Sequence, residues 1–233
     1  MKGFIFYLNK SRIAKYLLKD IEDSSIIRNK IDILKFWIFT LNCILFVIEH
    51  EREIIEEIVE KEDIRHEINS IQIYILNNIK RIFYIQEKKI ISVYFPFDIK
   101  DIYSQIKVKD IEINLSISSD LKKLIKENEI RLESLEDFLS IEYLIEESVN
   151  KGTRRSCIKI LKHLLLSEDG YIRFDIDEEN ADSTFHPMHH FDIFYTNTST
   201  FKLGNRSNIE IKDFVNLLDK DAECHYIIPF SNL

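Results

Sequence analysis

From Ser24 to Lys89 the chain contains no glycine and no proline. Tight turns draw on those two residues, so the stretch predicts long, uninterrupted elements. Ile31 to Glu60 predicts one helix, apolar on almost every face through Phe36 to Ile48 and strongly charged beyond it. Ile64 to Gln86 predicts a second helix, with Ile68, Ile71, Ile75, Ile79 and Ile82 at three- and four-residue steps. Two such helices make an N-terminal hairpin whose apolar faces need one another or a partner. The 13-residue run Phe36 to Ile48 is interrupted by Thr40 and Asn42 and bounded by Lys35 and Glu49. A membrane span needs about 20 residues, so the run reads as a buried or partner-facing helix. A protein partner, or a second copy of the chain, docking on 36–48 is the expectation, with no membrane.

Glycine is scarce throughout. Four glycines, at 3, 152, 170 and 204, serve 233 residues, where ordinary usage gives about 16. A dinucleotide fingerprint, a P-loop or a kinase glycine loop needs several within a few residues, and these four are too scattered. The net charge of -8 argues against a surface that tracks nucleic acid everywhere, but leaves room for a local basic site. Cys43, Cys157 and Cys224 are odd in number and lack CxxC spacing, which suits a reducing cytosol. Phe4 to Leu8 is too short for a signal-peptide core, so the expected location is cytoplasmic.

Strand-like pieces follow. Ile90 to Phe95 is mostly β-branched and aromatic and ends at Pro96, and Asp110 to Ser118 alternates with Ile111, Ile113, Leu115 and Ile117 on one face. A helical stretch then opens near Ser134 and Asp137, which resemble a cap with an acidic third position. A further helix starts after Gly152, with Thr153 as its cap, and runs to about Leu166. The segment 127–150 holds eight acids and one arginine, whereas 151–166 holds five bases and no acid. The two segments read either as solvated or mutually facing helices, or as an acidic one beside a phosphate-facing stripe. Arg154, Arg155, Lys159 and Lys162 are the nucleic-acid candidates, the last three spaced three and four apart.

The C-terminal part predicts strands at Tyr171 to Asp177, His190 to Thr196 and Thr200 to Gly204. A short helix at Ile209 to Leu218 and a last edge strand at Tyr226 to Pro229 complete it. Alternation puts Arg173, Asp175 and Asp177 on one strand face, and His190 and Asp192 on one face of the next. If the apolar faces coincide, Arg173, Asp175, His190 and Asp192 meet on the polar side, with Lys202 joining from the third strand. His186, His189 and His190 lie within five residues. Carboxylates and imidazoles together hold a divalent metal that acidifies water, with His186 as an added ligand. Without a metal, His189 or His190 oriented by Asp175 or Asp192 is a general acid or base. Arg173 and Lys202 beside it would stabilise charge on a cleaving phosphodiester of RNA or DNA. The same residues are also what a solvated sheet face ordinarily carries. Cys224-His225 offers a nucleophile and base, but adjacent strand residues point apart.

Tyr171 to Asp177 (YIRFDID), His186 to Asp192 (HPMHHFD) and Phe201 to Gly204 (FKLG) together resemble an uncharacterised bacterial domain family. Its members show an arginine-bearing RFDxD strand, an HPxxH turn and a following polar strand. Arg173, Asp175, His186, Pro187, His189 and Asp192 are the positions that fit. The resemblance implies an antiviral-defence, toxin or mobile-element setting and no established activity.

The expected fold is α+β, with a helical scaffold over 1–89 and, over 90–233, a small antiparallel sheet flanked by helices. Two functional readings stand. One is a nuclease-like effector acting through the polar cluster. The other is a non-enzymatic assembly subunit docking through 36–48.

Overall fold

The computed structural model describes residues 3–12, 15–24, 27–60, 63–65, 71–103, 105–127, 135–196 and 199–223. In it the described part of the glycine- and proline-free stretch holds one long helix and three strands, and ends on the first residue of a fourth. Helix α1 (Lys15–Ser24) precedes α2 (Lys30–His50), which starts where the Asn29 side chain accepts a hydrogen bond from the Asp32 amide at 3.1 Å. The helix stops at His50, ten residues short of the expected end. Glu51 turns inward there and is buried, accepting hydrogen bonds from Ser11 Oγ and, at 2.9 Å, from the Arg12 amide. The chain beyond it becomes strand β2 (Ile55–Ile58), paired with β1 (Gly3–Tyr7).

The second expected helix is instead a hairpin of β3 (Gln72–Leu76) and β4 (Arg81–Gln86). Isoleucines at three- and four-residue steps also fall on alternate positions. Ile73, Ile75, Ile82 and Ile85 are β-branched and buried on a pleated surface. The turn needs no glycine, because Lys80 itself adopts a left-handed backbone at φ 49°. Strand β5 (Lys89–Tyr94) matches its expected place and pairs with β4, Ile85 facing Ile90 across the 89/90 boundary.

The alternating segment 110–118 is strand only at its start. β6 (Ile106–Val108) and β7 (Ile111–Ile113) form a small separate hairpin, and α3 (Leu115–Glu127) begins at once. Asn114 causes the switch: its Oδ1 accepts from the Ile117 amide at 3.0 Å and caps the helix. Helices α4 (Leu135–Ser148) and α5 (Arg154–Leu165) follow, then β8 (Tyr171–Ile176), β9 (His189–Thr196), β10 (Ser199–Asn205) and α6 (Ile211–Asn216). Ser134, Cys224-His225 and the Tyr226 to Pro229 strand lie outside the described residues.

Among the described residues, all strands except β6 and β7 join one antiparallel sheet of eight, in the order β10-β9-β8-β5-β4-β3-β1-β2. The fold is therefore α+β, but its sheet is large and draws on both halves of the chain. Gly3 is required inside it, because a Cβ there would sit 2.2 Å from the Ile75 carbonyl oxygen. On one sheet face lies α2, with Phe36 edge-on to Tyr84 and Trp37 Nε1 donating to the Tyr94 carbonyl at 2.6 Å. On the other, Phe214 of α6 packs between Phe83 and Phe191.

α2 is long and apolar enough to cross a membrane, but 14 of its side chains are buried, every residue from Phe36 to Ile48 except Phe46 among them. The polar interruption at Asn42 joins α2 to α3 through Ser118 Oγ at 3.1 Å. The expected docking surface on 36–48 is therefore occupied by the core, which all-round apolarity requires.

Candidate functional site

Strand pairing creates the site by continuing the core rows outward. Ile73, Tyr84, Ile91, Arg173, Asp192 and Lys202 form one cross-strand row, and Gln86, Lys89, Asp175, His190 and Gly204 form the next. Directly paired residues share a face, so the polar cluster lies on the face that α2 covers further along. The first row is apolar on β3 to β5 and turns charged on β8, β9 and β10, whereas the second is polar from β4 onward. The face expected to be open to solvent is thus half-buried. Side-chain exposure rises from 1% at His190 through 13% at Asp175, 15% at Asp192 and 21% at Arg173 to 31% at Lys202.

Gly204 stands opposite His190, and a Cβ there would come 2.8 Å from Pro187 Cγ. The missing side chain admits the HPxxH loop against β10. Pro187 then accepts a hydrogen bond from His190 Nδ1 at 2.7 Å. A carbonyl cannot donate, so the Nδ1 carries the proton and Nε2 presents the lone pair. Lys202 Nζ meets that Nε2 at 2.9 Å, and Asp175 and Asp192 oxygens stand 3.7 and 3.9 Å from it.

The charges are balanced. Arg173 Nε donates to Asp175 at 2.6 Å and its Nη2 donates to Asp192, while Lys202 Nζ reaches the other Asp192 oxygen at 3.2 Å. Burial works against the Arg173 guanidinium, and the two carboxylates more than offset it, so its pKa is raised. Lys89, opposite Asp175, belongs to the same polar row. Burial lowers its pKa although Asp175 pulls the other way. A strand read as starting at Ile90 hides Lys89, which alternation from Ile91 would place on this face.

Three histidines of the motif have three fates. His190 is the centre of the cluster. His189 points to the opposite face and stacks on Phe174 with ring centroids 6.4 Å apart, because neighbouring strand residues alternate. His186 sits in the loop with its ring 4.6 Å from that of His190 and its Nε2 3.8 Å from Asp177. Asp177 is held below the usual carboxylate range by the Asn180 amide and side chain, and by His186 nearby.

Asp175, His190 and Asp192 can offer ligand atoms within 4.8 Å of one another. Those carboxylates already face a guanidinium and an ammonium, and His186 turns its Nε2 to Asp177. The donor set fits an internal ion-pair network better than a divalent ion, which would meet two fixed positive charges.

No family model, curated protein or solved structure matches the chain. The geometry of the cluster is what bears on function.

Other candidates separate clearly. Arg154 caps α4, donating to the carbonyls of Glu146 and, at 3.4 Å, Val149. Arg155, Lys159 and Lys162 are exposed along α5, whose buried face is Cys157, Ile160, Leu161 and Leu164. Cys43 and Cys157 are buried, and desolvation pushes both thiols up to about 12, far from a reactive thiolate.

Proposed function

We propose that the chain cleaves phosphodiester bonds of RNA or DNA by acid–base chemistry, as a cytoplasmic effector of the defence or toxin type. The observation that carries this reading is the single orientation of His190, with Nδ1 tied to Pro187 and Nε2 aimed at Lys202. An entering phosphate attracts the Lys202 ammonium, the most exposed group of the cluster, and uncovers Nε2. The imidazole then takes the proton of the attacking hydroxyl, a ribose 2′-hydroxyl or water. Lys202 stabilises the charge that develops on the phosphoryl oxygens. His186, its ring 4.6 Å from that of His190, gives a proton to the departing oxygen. Arg173 acts differently from a phosphate ligand: its fork is engaged by two carboxylates, and it positions them.

The test is incubation of the purified chain with labelled RNA and DNA, with and without chelator, for wild type and Lys202→Met. Loss of one oriented cation should slow cleavage by about 10²-fold or more, and chelator should change nothing. Equal background cleavage by both chains sinks the proposal, and abolition by chelator sinks its metal-free form.

The assembly reading is favoured by a different surface from 36–48. β10 is an edge strand, and Phe201 and Leu203 are 47% and 37% exposed on the face opposite Lys202. In this reading a second copy docks there. Sedimentation should show association that Leu203→Asp abolishes, and a monomer at all concentrations would end it.

A further inference from the structure

At the end of β5 remote from Lys89 lies a cleft of about 1050 Å³, framed by the β3–β4 turn and the segment after β5. Four lysines, Lys80, Lys100, Lys107 and Lys109, line it against a single acid, Asp98. In a chain of net charge -8 this is a local reversal of sign. Lys80 is 3.4 Å from Asp98 and Lys107 is 3.0 Å from Glu112, both exposed pairs that hold their partners weakly. Lys100 and Lys109 have no carboxylate partner among the described residues.

A second observation is independent of the charge count. Lys80 and Lys109, at φ 49° and 53°, are the only non-glycine residues with left-handed backbone among those described, and both open into this cleft. Glycine or asparagine takes that conformation at lower cost. The turn that ends at Lys80 has asparagine at 77 and 78, yet the strained position carries the long cation. Backbone strain of this kind is held by the surrounding structure and clusters at functional sites. A third feature completes the cleft: the Tyr103 ring is 75% exposed, with the Arg52 guanidinium 5.2 Å from its centroid. The guanidinium lies over one face of the ring, and the exposed remainder offers a surface for a base.

We propose that this cleft binds a nucleotide, its phosphate on Lys80, Lys100 and Lys109 and its base against Tyr103. The volume matches the upper end of pockets for small ligands. The same chemistry comes from a free nucleotide or from one residue of a single strand. The site shares no residue with the His190 cluster. His163 of α5 lies within electrostatic reach of Lys80, Asp98 and Lys109.

The test is anisotropy of a labelled 12-nucleotide single-stranded RNA on the full chain, with ATP as competitor. It compares wild type with the double variant Lys80→Gly/Lys109→Gly. Glycine relieves the left-handed strain, so the variant should melt at or above the wild-type temperature. Its affinity should fall about 10-fold or more, and the slope of log affinity against log salt should shrink by about 1.4, at about 0.7 per phosphate contact. Competition by ATP identifies a free-nucleotide site, and failure of ATP to compete identifies a strand site. Equal binding and equal salt slope in the two chains overturn the proposal, as does a wild type that binds neither probe at low salt. The readout is binding, so a chain that binds and cleaves nothing overturns the catalytic proposal alone.

Discussion

A His190→Asn chain should fold as the wild type does and lose phosphodiester cleavage by about 10²–10⁴-fold, the ordinary worth of a general base. Asparagine is the informative replacement because its amide N–H occupies nearly the place of the imidazole Nδ1–H. It can keep the bond to Pro187, 2.7 Å away, that holds the HPxxH loop against Gly204. It has nothing at the place of Nε2, which faces Lys202 at 2.9 Å. Glutamine reverses the test: its oxygen reaches toward Lys202, and the loop loses its anchor. A catalytic His190 therefore predicts that both variants are inactive while only His190→Gln loosens the loop, visible as faster proteolysis near Phe185, which is 84% exposed. A purely structural His190 predicts that activity follows loop stability, with His190→Asn close to wild type. That second pattern would remove His190 from the chemistry.

The part of this arrangement that was legible in the sequence is the part that rests on strand alternation. The three C-terminal strands, their polar faces and the meeting of Arg173, Asp175, His190, Asp192 and Lys202 follow from a period of two. The paired register bears that out, with Arg173 opposite Asp192 and Asp192 opposite Lys202. The hairpin over 72–86 is illegible because isoleucine satisfies helical and strand spacing alike, and a turn closed by a left-handed lysine leaves no glycine to announce it. At 110–118 a single side chain, Asn114, ended the strand by capping a helix, a local competition that alternation does not register. Burial of the cluster was illegible for a further reason. Whether a polar face meets solvent depends on where α2 crosses a sheet assembled from strands more than 100 residues apart. The parts that Lys89 and Gly204 play are illegible for the same cause: one is a strand end and the other has no side chain, and both gain meaning only from the residues opposite them.

Replacing Arg173 with methionine should cost about 3 kcal/mol of folding stability, the lower end of the range for removing one member of a buried ion pair. The lower end applies because the guanidinium keeps 21% of its exposure and water relieves part of the loss. Methionine keeps the apolar stem of the side chain, so the cost reports the loss of the guanidinium and its hydrogen bonds. It leaves Asp175 and Asp192, 13% and 15% exposed, with Lys89 opposite the first and Lys202 beside the second as the remaining cations. The cycle is completed by Asp175→Asn and Asp192→Asn, alone and with Arg173→Met. Neutralising both carboxylates removes the reason the arginine is needed. The triple variant should therefore recover to within about 1 kcal/mol of wild type in urea denaturation. Pairwise coupling of about 1–3 kcal/mol between Arg173 and each carboxylate is expected for groups in direct contact. A loss below about 0.5 kcal/mol for Arg173→Met, the level of an ordinary surface change, would show that the network contributes little. In that case the two carboxylates would not be held in place for His190 and Lys202. Recovery of stability in the triple variant without recovery of cleavage would assign the network its second task, because the neutral amide that Asp192→Asn introduces no longer holds the Lys202 ammonium beside Nε2.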